Sequence, residues 1–559
     1  MNLLLLNTLL VTVVGVAPSA RIKDGLIQGF TSNGVDNFFG IPYAEPPVGN
    51  LRLRRAQPLS KPLGTFYANS TPRACPQKSI TGDLPILATW PEQVQYIYAG
   101  YNTSLPYVSE DCLTVNIQRP ANTTADAKLP VVFWIYGGAW EQGGTARYDY
   151  TNLIKKSVEE GGVIVVSANY RVGSFGFLGG KELKAEGNTN LGLRDQRLSL
   201  EWVQDNIAAF GGNAEKVTIW GESAGSSSVY HHLLINGGDN KSNRTGKPLF
   251  RAGILNSGSS FPAEPIDSPT AQSLYDRIVS AVGCASTSPS YSSLECLRKA
   301  PYQKIADATN ALPHLFSPEG FHINYVPRPD DSDTFFTTSQ LLKGHGIADV
   351  PLIVGHQEDE TTVFMAPTTE ISSPAKLVTM LQALYPNAPR AIIEKFVSYY
   401  HGDAATGAPF RTNASEEVYP NSKMNAAVTT DLLFVFQARA FLSSITTTSP
   451  HHSQHKSPVY AFQATYNHGF PILGTFHGSD LVLIAQGTTG VSELPFQNVA
   501  GRYVRFVRDA KFSGEEWPVY EGVKKEVLRF NVDGMEVFRD DSRSEAFGYF
   551  ESVKGVLRL

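Results

Sequence analysis

Residues 216–226 read KVTIWGESAGS, and they carry the strongest indication of the fold. Its first five residues form a largely apolar run of strand length, and residues 226–235 are compatible with a helix. Between them lies GESAG, which matches the pattern G-x-S-x-G with Ser223 at its centre. A strand, a tight turn and a helix in this order push the serine hydroxyl out of the sheet and point helix N–H groups at it, and the flanking glycines avoid clashes. The stretch therefore predicts a nucleophile at Ser223.

Further apolar runs of strand length recur along the chain. They cover residues 129–136, 163–170, 252–255, 350–354 and 459–464. Because consecutive positions are apolar, each strand would be covered on both faces, as in a parallel sheet packed between helices. Residues 195–210 have helical periodicity and lie between two of the runs, which gives βαβ order. We predict an α/β fold with a mostly parallel, twisted central sheet flanked by helices, long insertions and a single domain over residues 20–559.

The N-terminus has the composition of an export signal. Residues 3–16 are almost entirely apolar but too few to span a bilayer, and the small-residue stretch APSA follows at 17–20. The alternative is a buried first helix. We predict a signal peptide over residues 1–19 and a secreted, extracellular protein.

The charge and the apolar runs of the sequence argue against several classes of partner. The formal net charge is −5 and the sequence has no basic block, which argues against nucleic acid and anionic membrane surfaces. No later segment has enough consecutive apolar residues for a membrane helix, so we expect no integral membrane contact.

The four cysteines agree with export. They are too scattered for a zinc site, and an exported chain would oxidise them to two disulfides. Pairing sequence neighbours, as Cys75–Cys112 and Cys284–Cys296, is the one connectivity of three without long-range crosslinks. Six N-x-S/T sequons fit a glycosylated secreted protein. They begin at Asn69, Asn102, Asn122, Asn240, Asn243 and Asn413.

One biased stretch contains three histidines. His451, His452 and His455 have a spacing that suits a metal ion, but they lie in a Ser-, Thr- and Pro-rich segment, residues 443–458. Because that composition favours a solvated surface loop, we predict no metal site.

Several motifs in a fixed order make the chain resemble the type-B carboxylesterase family, which includes fungal lipases of the Candida rugosa type and the cholinesterases. The motifs are FGIPYA at 39–44, PPVGNLR at 46–52, SEDCL at 109–113, NLGLRDQ at 190–196 and FGGN at 210–213. The resemblance implies the α/β-hydrolase fold and a serine hydrolase that cleaves carboxylic esters without a cofactor. It favours a general carboxylesterase or lipase acting on a small-molecule or lipid ester.

The resemblance also implies the acid of a catalytic triad. In the family this acid is a glutamate in a D-E-G-T stretch after a strand, and residues 359–362, DETT, place Glu360 in that role. Thr361 stands where the family has glycine. From the residues alone, Glu358 and Asp359 are rivals for the same role.

The base is implied in the same way. The family's histidine lies in a G-T/V-x-H stretch, which is similar to GTFH at 474–477 and identifies His477. His468 is a rival from the residues alone, since both histidines follow the run at 459–464. The order serine, acid, histidine is the one that this fold uses.

The resemblance assigns an oxyanion hole to the backbone N–H groups of Gly138, Ala139 and Ala224. The first two lie in YGGAW at 136–140, directly after an apolar run. The family usually has glycine where Ala139 stands. Alanine retains the N–H donor, so we expect the hole to survive provided that φ at Ala139 is negative.

Residues 76–111, between the first two cysteines, resemble the loop that forms the lid in the lipase branch. Arg52 and Glu110 match the family's salt bridge at the base of this loop. The loop contains large apolar residues, which favour a cover over an apolar pocket and contact with a lipid interface. They are Leu84, Ile86, Leu87, Trp90, Tyr96, Ile97 and Tyr98. The alternative is a static loop packed on the core.

Two other functions compete with this reading. A non-catalytic, adhesion-type relative is disfavoured because Ser223, Glu360 and His477 are all present. A cholinesterase-like esterase would use Trp90 to bind a cation, but the spacing of Trp90 from Cys75 differs. Glu222, beside the nucleophile, would lie in the gorge and either steer water or substrate or satisfy backbone groups. The oligomeric state stays open.

Overall fold

The computed structural model describes residues 17–557 except 102–104, 106, 287, 289–290, 332–334, 338–345, 402, 447–454, 482–483 and 485–492. Its strands are β1 (Ser19–Ile22), β2 (Gly25–Gln28), β3 (Phe30–Ser32), β4 (Val35–Pro42), β5 (Gly64–Tyr67), β6 (Thr114–Pro120), β7 (Leu129–Ile135), β8 (Ile164–Ala168), β9 (Gly212–Glu222), β10 (Ala252–Asn256), β11 (Phe316–Ser317), β12 (Gly320–Phe321), β13 (Leu352–Gln357), β14 (Val459–Ala464), β15 (Glu526–Phe530) and β16 (Met535–Arg539).

The helices follow the same chain order. They are α1 (Glu92–Tyr101), α2 (Thr151–Val158), α3 (Gly173–Phe177), α4 (Lys181–Ala185), α5 (Leu191–Asn206), α6 (Ala224–Leu234), α7 (Pro269–Val282), α8 (Ser293–Lys299), α9 (Tyr302–Asn310), α10 (Thr362–Met365), α11 (Pro374–Leu384), α12 (Arg390–Val397), α13 (Ser422–Thr430), α14 (Phe436–Thr446), α15 (Ser479–Leu481), α16 (Glu493–Asp509) and α17 (Ser544–Val553).

An 11-stranded sheet organises the molecule, in the order β16-β15-β14-β13-β10-β9-β7-β8-β6-β4-β3. The strands from β15 to β8 in this order run parallel, and antiparallel strands close both sides. β1, β2 and β5 form a small separate sheet. The sheet confirms the predicted α/β fold with a mostly parallel centre.

The central strands are buried along their whole length, as their apolar runs predict. Every residue of β8, β10, β13 and β14 is buried, whereas the edge strand β16 has no buried residue. Strands that are covered on both faces by helices cannot alternate apolar and polar residues, because both faces are inside the protein. The run predicted at 216–220 belongs to a longer strand, β9, which continues into the GESAG stretch.

The parallel strands bring the candidate catalytic segments to one edge of the sheet. Ser223 follows β9, Glu360 lies three residues beyond β13, and His477 lies beyond β14, while the loop with Gly138 and Ala139 follows β7. The carboxyl ends of parallel neighbours lie at the same edge, so segments far apart in sequence meet there.

Both predicted disulfides are present, Cys75–Cys112 and Cys284–Cys296. The helical segment Ser422–Thr446 has the length and composition of a membrane span, but 89% of its apolar window is buried inside the molecule, which identifies it as a core helix. Residues 1–16 of the predicted signal peptide lie outside the described residues. The signal boundary and the single-domain organisation stay predictions.

Candidate active site

Ser223 lies on a sharp turn between β9 and α6, with φ of +59° and ψ of −127°. A Cβ atom at Gly221 would lie 2.3 Å from the Gly225 carbonyl, and one at Gly225 would lie 2.0 Å from the Ile135 carbonyl oxygen. Only glycine fits at these two positions, because real Cβ atoms do not approach backbone atoms so closely. The geometry agrees with the turn that the GESAG pattern predicts.

His477 and Glu360 form a buried pair. His477 Nδ1 lies 2.6 Å from Glu360 Oε2, and the His477 backbone N–H donates to the Glu360 carbonyl at 3.1 Å. The other carboxylate oxygen, Oε1, accepts the N–H of Gln357 at 2.8 Å. These contacts fix the imidazole orientation and leave Nε2 as the nitrogen that faces away from the carboxylate.

The rival residues have other partners. Asp359 accepts the backbone N–H groups of Phe410 and Thr475 at 2.7 and 2.9 Å. Glu358 forms a salt bridge with Arg411 at 2.5 Å. The third rival, the histidine at position 468, is exposed in a turn. The structure brings none of the three to the His477 ring.

The threonine at 361, where the family has glycine, is held by α13. Its N–H donates to Thr430 Oγ1 at 3.0 Å, and its hydroxyl donates to the Ala426 carbonyl at 2.8 Å. The Thr361 side chain is thus fully satisfied inside the protein, which explains why the departure does not disturb Glu360 beside it.

The predicted oxyanion-hole residues line one cavity together with Ser223 and His477. In the described part of the chain, the backbone N–H groups of Gly138, Ala139 and Ala224 donate to no other group. They therefore remain available to an oxyanion.

The condition of a negative φ at Ala139 is not met, because φ there is +58°. The tight turn imposes this conformation: Glu141 and Gln142 both donate their N–H groups to the Gly138 carbonyl at 3.0 Å. A Cβ atom at Gly138 would lie 2.3 Å from the Gln142 carbonyl oxygen. Alanine in the left-handed region costs about 1–2 kcal/mol, but its N–H donor is retained.

His477 Nε2 lies 3.3 Å from Glu222 Oε1, and neither atom has a hydrogen-bond partner among the described residues. A hydrogen bond between Ser223 Oγ and this nitrogen, which the triad predicts, is not formed in the described structure. Such contacts are often loose without substrate and tighten during the reaction.

Burial and neighbouring charges shift the pKa values of Glu222 and His477. Burial raises the pKa of Glu222 to about 8, and the nearby Asp480 and Glu360 carboxylates add to this. Burial lowers the pKa of His477, but the charges of Glu222 and Glu360 outweigh it, so the pKa lies above its ordinary value. Each of the two groups thus shifts the pKa of the other, since the Glu222 charge raises the pKa of His477 and the His477 charge lowers that of Glu222.

The cavity above Ser223 is mostly apolar and has a volume of about 100 Å³. Phe364 and Phe434 flank the His477 ring, with centroids 5.0 and 4.8 Å away. Further apolar side chains complete the wall. They are Ile80, Phe261, Leu315, Phe321, Ile323 and Leu433. An apolar wall with a few polar groups at one end suits an ester with an apolar acyl chain.

The loop at 76–111 contains α1 and contributes Ile80 and Tyr101 to the wall of this cavity. Tyr101, which the sequence analysis did not single out, lines the cavity and donates its hydroxyl to the His477 carbonyl at 2.8 Å. Tyr98 donates to the Val363 carbonyl at 2.6 Å. Trp90 is buried, whereas Tyr96 is 78% exposed. The only sequence signal for Tyr101 is its spacing of three residues from Tyr98, which places both on one helix face.

The predicted salt bridge at the base of the loop is present. Arg52 binds Glu110 through two contacts of 2.5 and 2.7 Å, and both side chains are nearly buried. Arg52 also donates to the Leu297 and Ala300 carbonyls, which ties the loop base to α8. The pair is structural.

Four predicted glycosylation sites are exposed. They are Asn69, Asn122, Asn243 and Asn413. Asn240 is half-buried and its side-chain nitrogen donates to the Phe250 carbonyl at 2.8 Å, which makes it the poorest acceptor. Asn102, His451 and His452 lie outside the described residues, and no metal-binding cluster occurs in the part of the chain that is described.

The carboxylesterase family matches residues 16–537 of this chain. Secreted lipase 1 of Botryotinia fuckeliana is 42% identical over 487 residues, which are 85% of this chain and 81% of that protein. A secreted triacylglycerol lipase of Gibberella zeae is 39% identical over 554 residues, which are 96% of this chain and 91% of that protein.

Solved structures agree on the fold. Aspergillus niger EstA superimposes with a TM-score of 0.75 at 24% identity, and the match covers 97% of this chain and 99% of that one. The family match and the two lipase relatives confirm the resemblance to the type-B carboxylesterases. The chain belongs to the carboxylesterase family and is a carboxylic ester hydrolase.

Proposed function

We propose that this chain is a secreted lipase that cleaves triacylglycerol ester bonds through an acyl-enzyme on Ser223. The observation that carries the proposal is that His477, held by Glu360 at 2.6 Å, lines the same apolar-walled cavity as Ser223. The names of the relatives from Botryotinia fuckeliana and Gibberella zeae support both secretion and a lipid substrate.

In the first half of the reaction, His477 Nε2 takes the proton of the Ser223 hydroxyl while Oγ attacks the ester carbonyl carbon. Glu360 stabilises the imidazolium cation that forms. The N–H groups of Gly138, Ala139 and Ala224 donate to the oxyanion, and they need no reorganisation because none of them donates to a group in the described segments of the chain.

In the second half, the imidazolium gives its proton to the leaving alcohol, and the acyl group stays on Ser223. Water then enters, gives a proton to His477 Nε2 and attacks the acyl carbonyl carbon. The bond between that carbon and Ser223 Oγ breaks, the imidazolium returns its proton to Oγ, and the acid leaves. Serine Oγ must approach Nε2 on the side where Glu222 now lies at 3.3 Å.

The loop at 76–111 acts as a cover in this proposal. The buried residues of α1, Val94 and Tyr98, pack against the protein, while the exposed ring of Tyr96 would contact a lipid interface. Displacing the cover would open the apolar wall to a long acyl chain.

The test is the variant Ser223→Ala, assayed on a short nitrophenyl ester and on emulsified triacylglycerol. We expect turnover to fall about 10⁴- to 10⁶-fold on both, because no other group can form the acyl-enzyme. A fluorophosphonate probe should label the parent and the control Ser280→Ala, an exposed serine in α7, but not Ser223→Ala. Wild-type turnover in Ser223→Ala would refute the mechanism. If the parent protein hydrolyses the soluble ester but not the emulsified triacylglycerol, the chain is a general carboxylesterase and not a lipase.

A further inference from the structure

Lys78 and Glu141 form an ion pair in which both side chains are 0% exposed, with Nζ and Oε2 3.3 Å apart. Burial opposes both charges, since it lowers the pKa of Lys78 and raises that of Glu141. A buried pair adds little to stability, because the loss of hydration offsets the attraction between the charges. The proposed reaction uses neither residue, so the role of the pair must follow from the segments that the two residues connect.

Glu141 belongs to the turn that presents the oxyanion hole. Its backbone N–H donates to the Gly138 carbonyl at 3.0 Å. Its side-chain oxygen Oε1 accepts both the backbone N–H and the side-chain amide of Asn324, at 2.8 and 2.9 Å. The carboxylate therefore fixes the far end of the turn against the chain segment that contains Asn324.

Lys78 belongs to the base of the loop at 76–111, three residues after Cys75. Its backbone N–H donates to the Glu141 carbonyl at 2.8 Å. The preceding residue, Gln77, exchanges two hydrogen bonds with the Gly143 backbone, at 2.6 and 2.9 Å. The loop base and the oxyanion turn are thus joined by both side-chain and backbone contacts.

A third segment of the cavity wall, residues 313–324, contacts the same pair. The Pro313 carbonyl accepts hydrogen bonds from Lys78 Nζ at 3.0 Å and from the Asn324 amide at 2.9 Å. Leu315 and Phe321, which lie between Pro313 and Asn324 in the sequence, line the catalytic cavity. The pair is the point where the oxyanion turn, the loop base and the 313–324 segment come together.

We propose that the buried Lys78–Glu141 pair is a positioning device that holds the backbone N–H groups of Gly138 and Ala139 in register with the reacting carbonyl. The inference rests on the proposed function, since an oxyanion must form for the positioning to matter. Donors aimed at the oxyanion act in the transition state rather than on bound substrate, so the pair should affect kcat and leave KM unchanged.

The experiment compares Glu141→Gln with the double variant Lys78→Met/Glu141→Gln. Glutamine keeps an acceptor for Asn324 and removes the charge, and the double variant leaves no unpaired ion. On a short soluble nitrophenyl ester, we expect kcat per fluorophosphonate-titrated site to fall about 10- to 100-fold in both variants relative to the parent. KM should stay within about twofold of the parental value. The inhibition constant of a trifluoromethyl ketone, which mimics the tetrahedral intermediate, should rise by the same factor.

The matched control is Arg73→Gln/Asp111→Asn. This pair spans 3.2 Å at the base of the same loop, but its side chains are 60% and 52% exposed and belong to no wall of the cavity. Its kcat should equal that of the parent. The proposal is overturned if the double variant has parental kcat per titrated site, even when fewer molecules fold, because the pair would then serve stability only. If the parent neither hydrolyses the ester nor reacts with the fluorophosphonate, the proposed function itself fails.

Discussion

At the scale of single residues, Asp359 and Glu360 show how adjacent buried carboxylates take different tasks. Glu360 lies 2.6 Å from the imidazole, whereas Asp359 accepts two backbone N–H groups, one from Thr475 in the strand-to-histidine segment. The side chains of consecutive residues point in different directions, so one meets the ring and the other the backbone that carries it.

We therefore expect Glu360→Gln to lower kcat on a soluble ester by up to about 10⁴-fold, because the imidazolium loses its partner and the ring its preferred tautomer. Asp359→Asn should lower the free energy of unfolding but reduce kcat much less, since it disturbs only backbone contacts. Initial rates of the two variants, normalised by active-site titration, decide between them. The reverse ranking would show that the acid is misassigned.

Ala139 is a position where a single residue holds a strained backbone conformation. With φ at +58°, the alanine pays for a conformation that glycine adopts freely. Ala139→Gly should raise the free energy of unfolding by up to about 1 kcal/mol and leave kcat unchanged, because the N–H stays in place. Urea unfolding measures the difference. Ala306→Gly, within α9, is the control and should destabilise by about 1 kcal/mol. A loss of stability in Ala139→Gly would contradict the strain.

At the scale of elements, the loop at 76–111 combines an inner face that packs on the site with an exposed aromatic ring. Tyr96 is 78% exposed on α1, and Tyr67, on strand β5 of the small separate sheet, is 63% exposed. If the loop contacts lipid, only the first ring takes part.

Tyr96→Ser should then reduce activity on emulsified long-chain triacylglycerol severalfold and leave activity on a short soluble ester unchanged, because the lost apolar area matters only at the interface. Tyr67→Ser is the matched control and should change neither activity. The ratio of the two activities is the measured quantity. An equal ratio in all three proteins would argue for a static loop.

At the scale of the whole molecule, the two disulfides stabilise the fold by restricting the unfolded chain. Their sequence separations are 37 and 12 residues. Loop-closure entropy predicts that Cys75→Ala/Cys112→Ala lowers the free energy of unfolding by about 4 kcal/mol and Cys284→Ala/Cys296→Ala by about 3 kcal/mol. Urea unfolding of both double variants under non-reducing conditions gives the order. The reverse order would mean that native contacts, and not the unfolded chain, dominate.

Much of this architecture could be predicted because its signals are local. A run such as β14, apolar at successive positions, identifies a strand covered on both faces wherever it lies in the chain. The two glycines around Ser223 are required by backbone atoms within the turn itself and by β7 beside it. The φ angle of Ala139 could not be predicted from the residue type, because it is imposed by hydrogen bonds that the surrounding turn makes.

Local residue patterns predict the turn at Ser223, the parallel core and the pairing of the four cysteines, and the family motifs indicate which acid and histidine to expect. Three contacts between distant segments appear only in the folded protein. They are the contact of Glu222 with His477, the hydrogen bond from Tyr101 to the His477 carbonyl, and the buried pair of Lys78 and Glu141. The physical reason is distance along the chain. Glu360 and His477 are 117 residues apart and meet only because β13 and β14 are neighbours in the sheet, and no local pattern of residues encodes that order of strands.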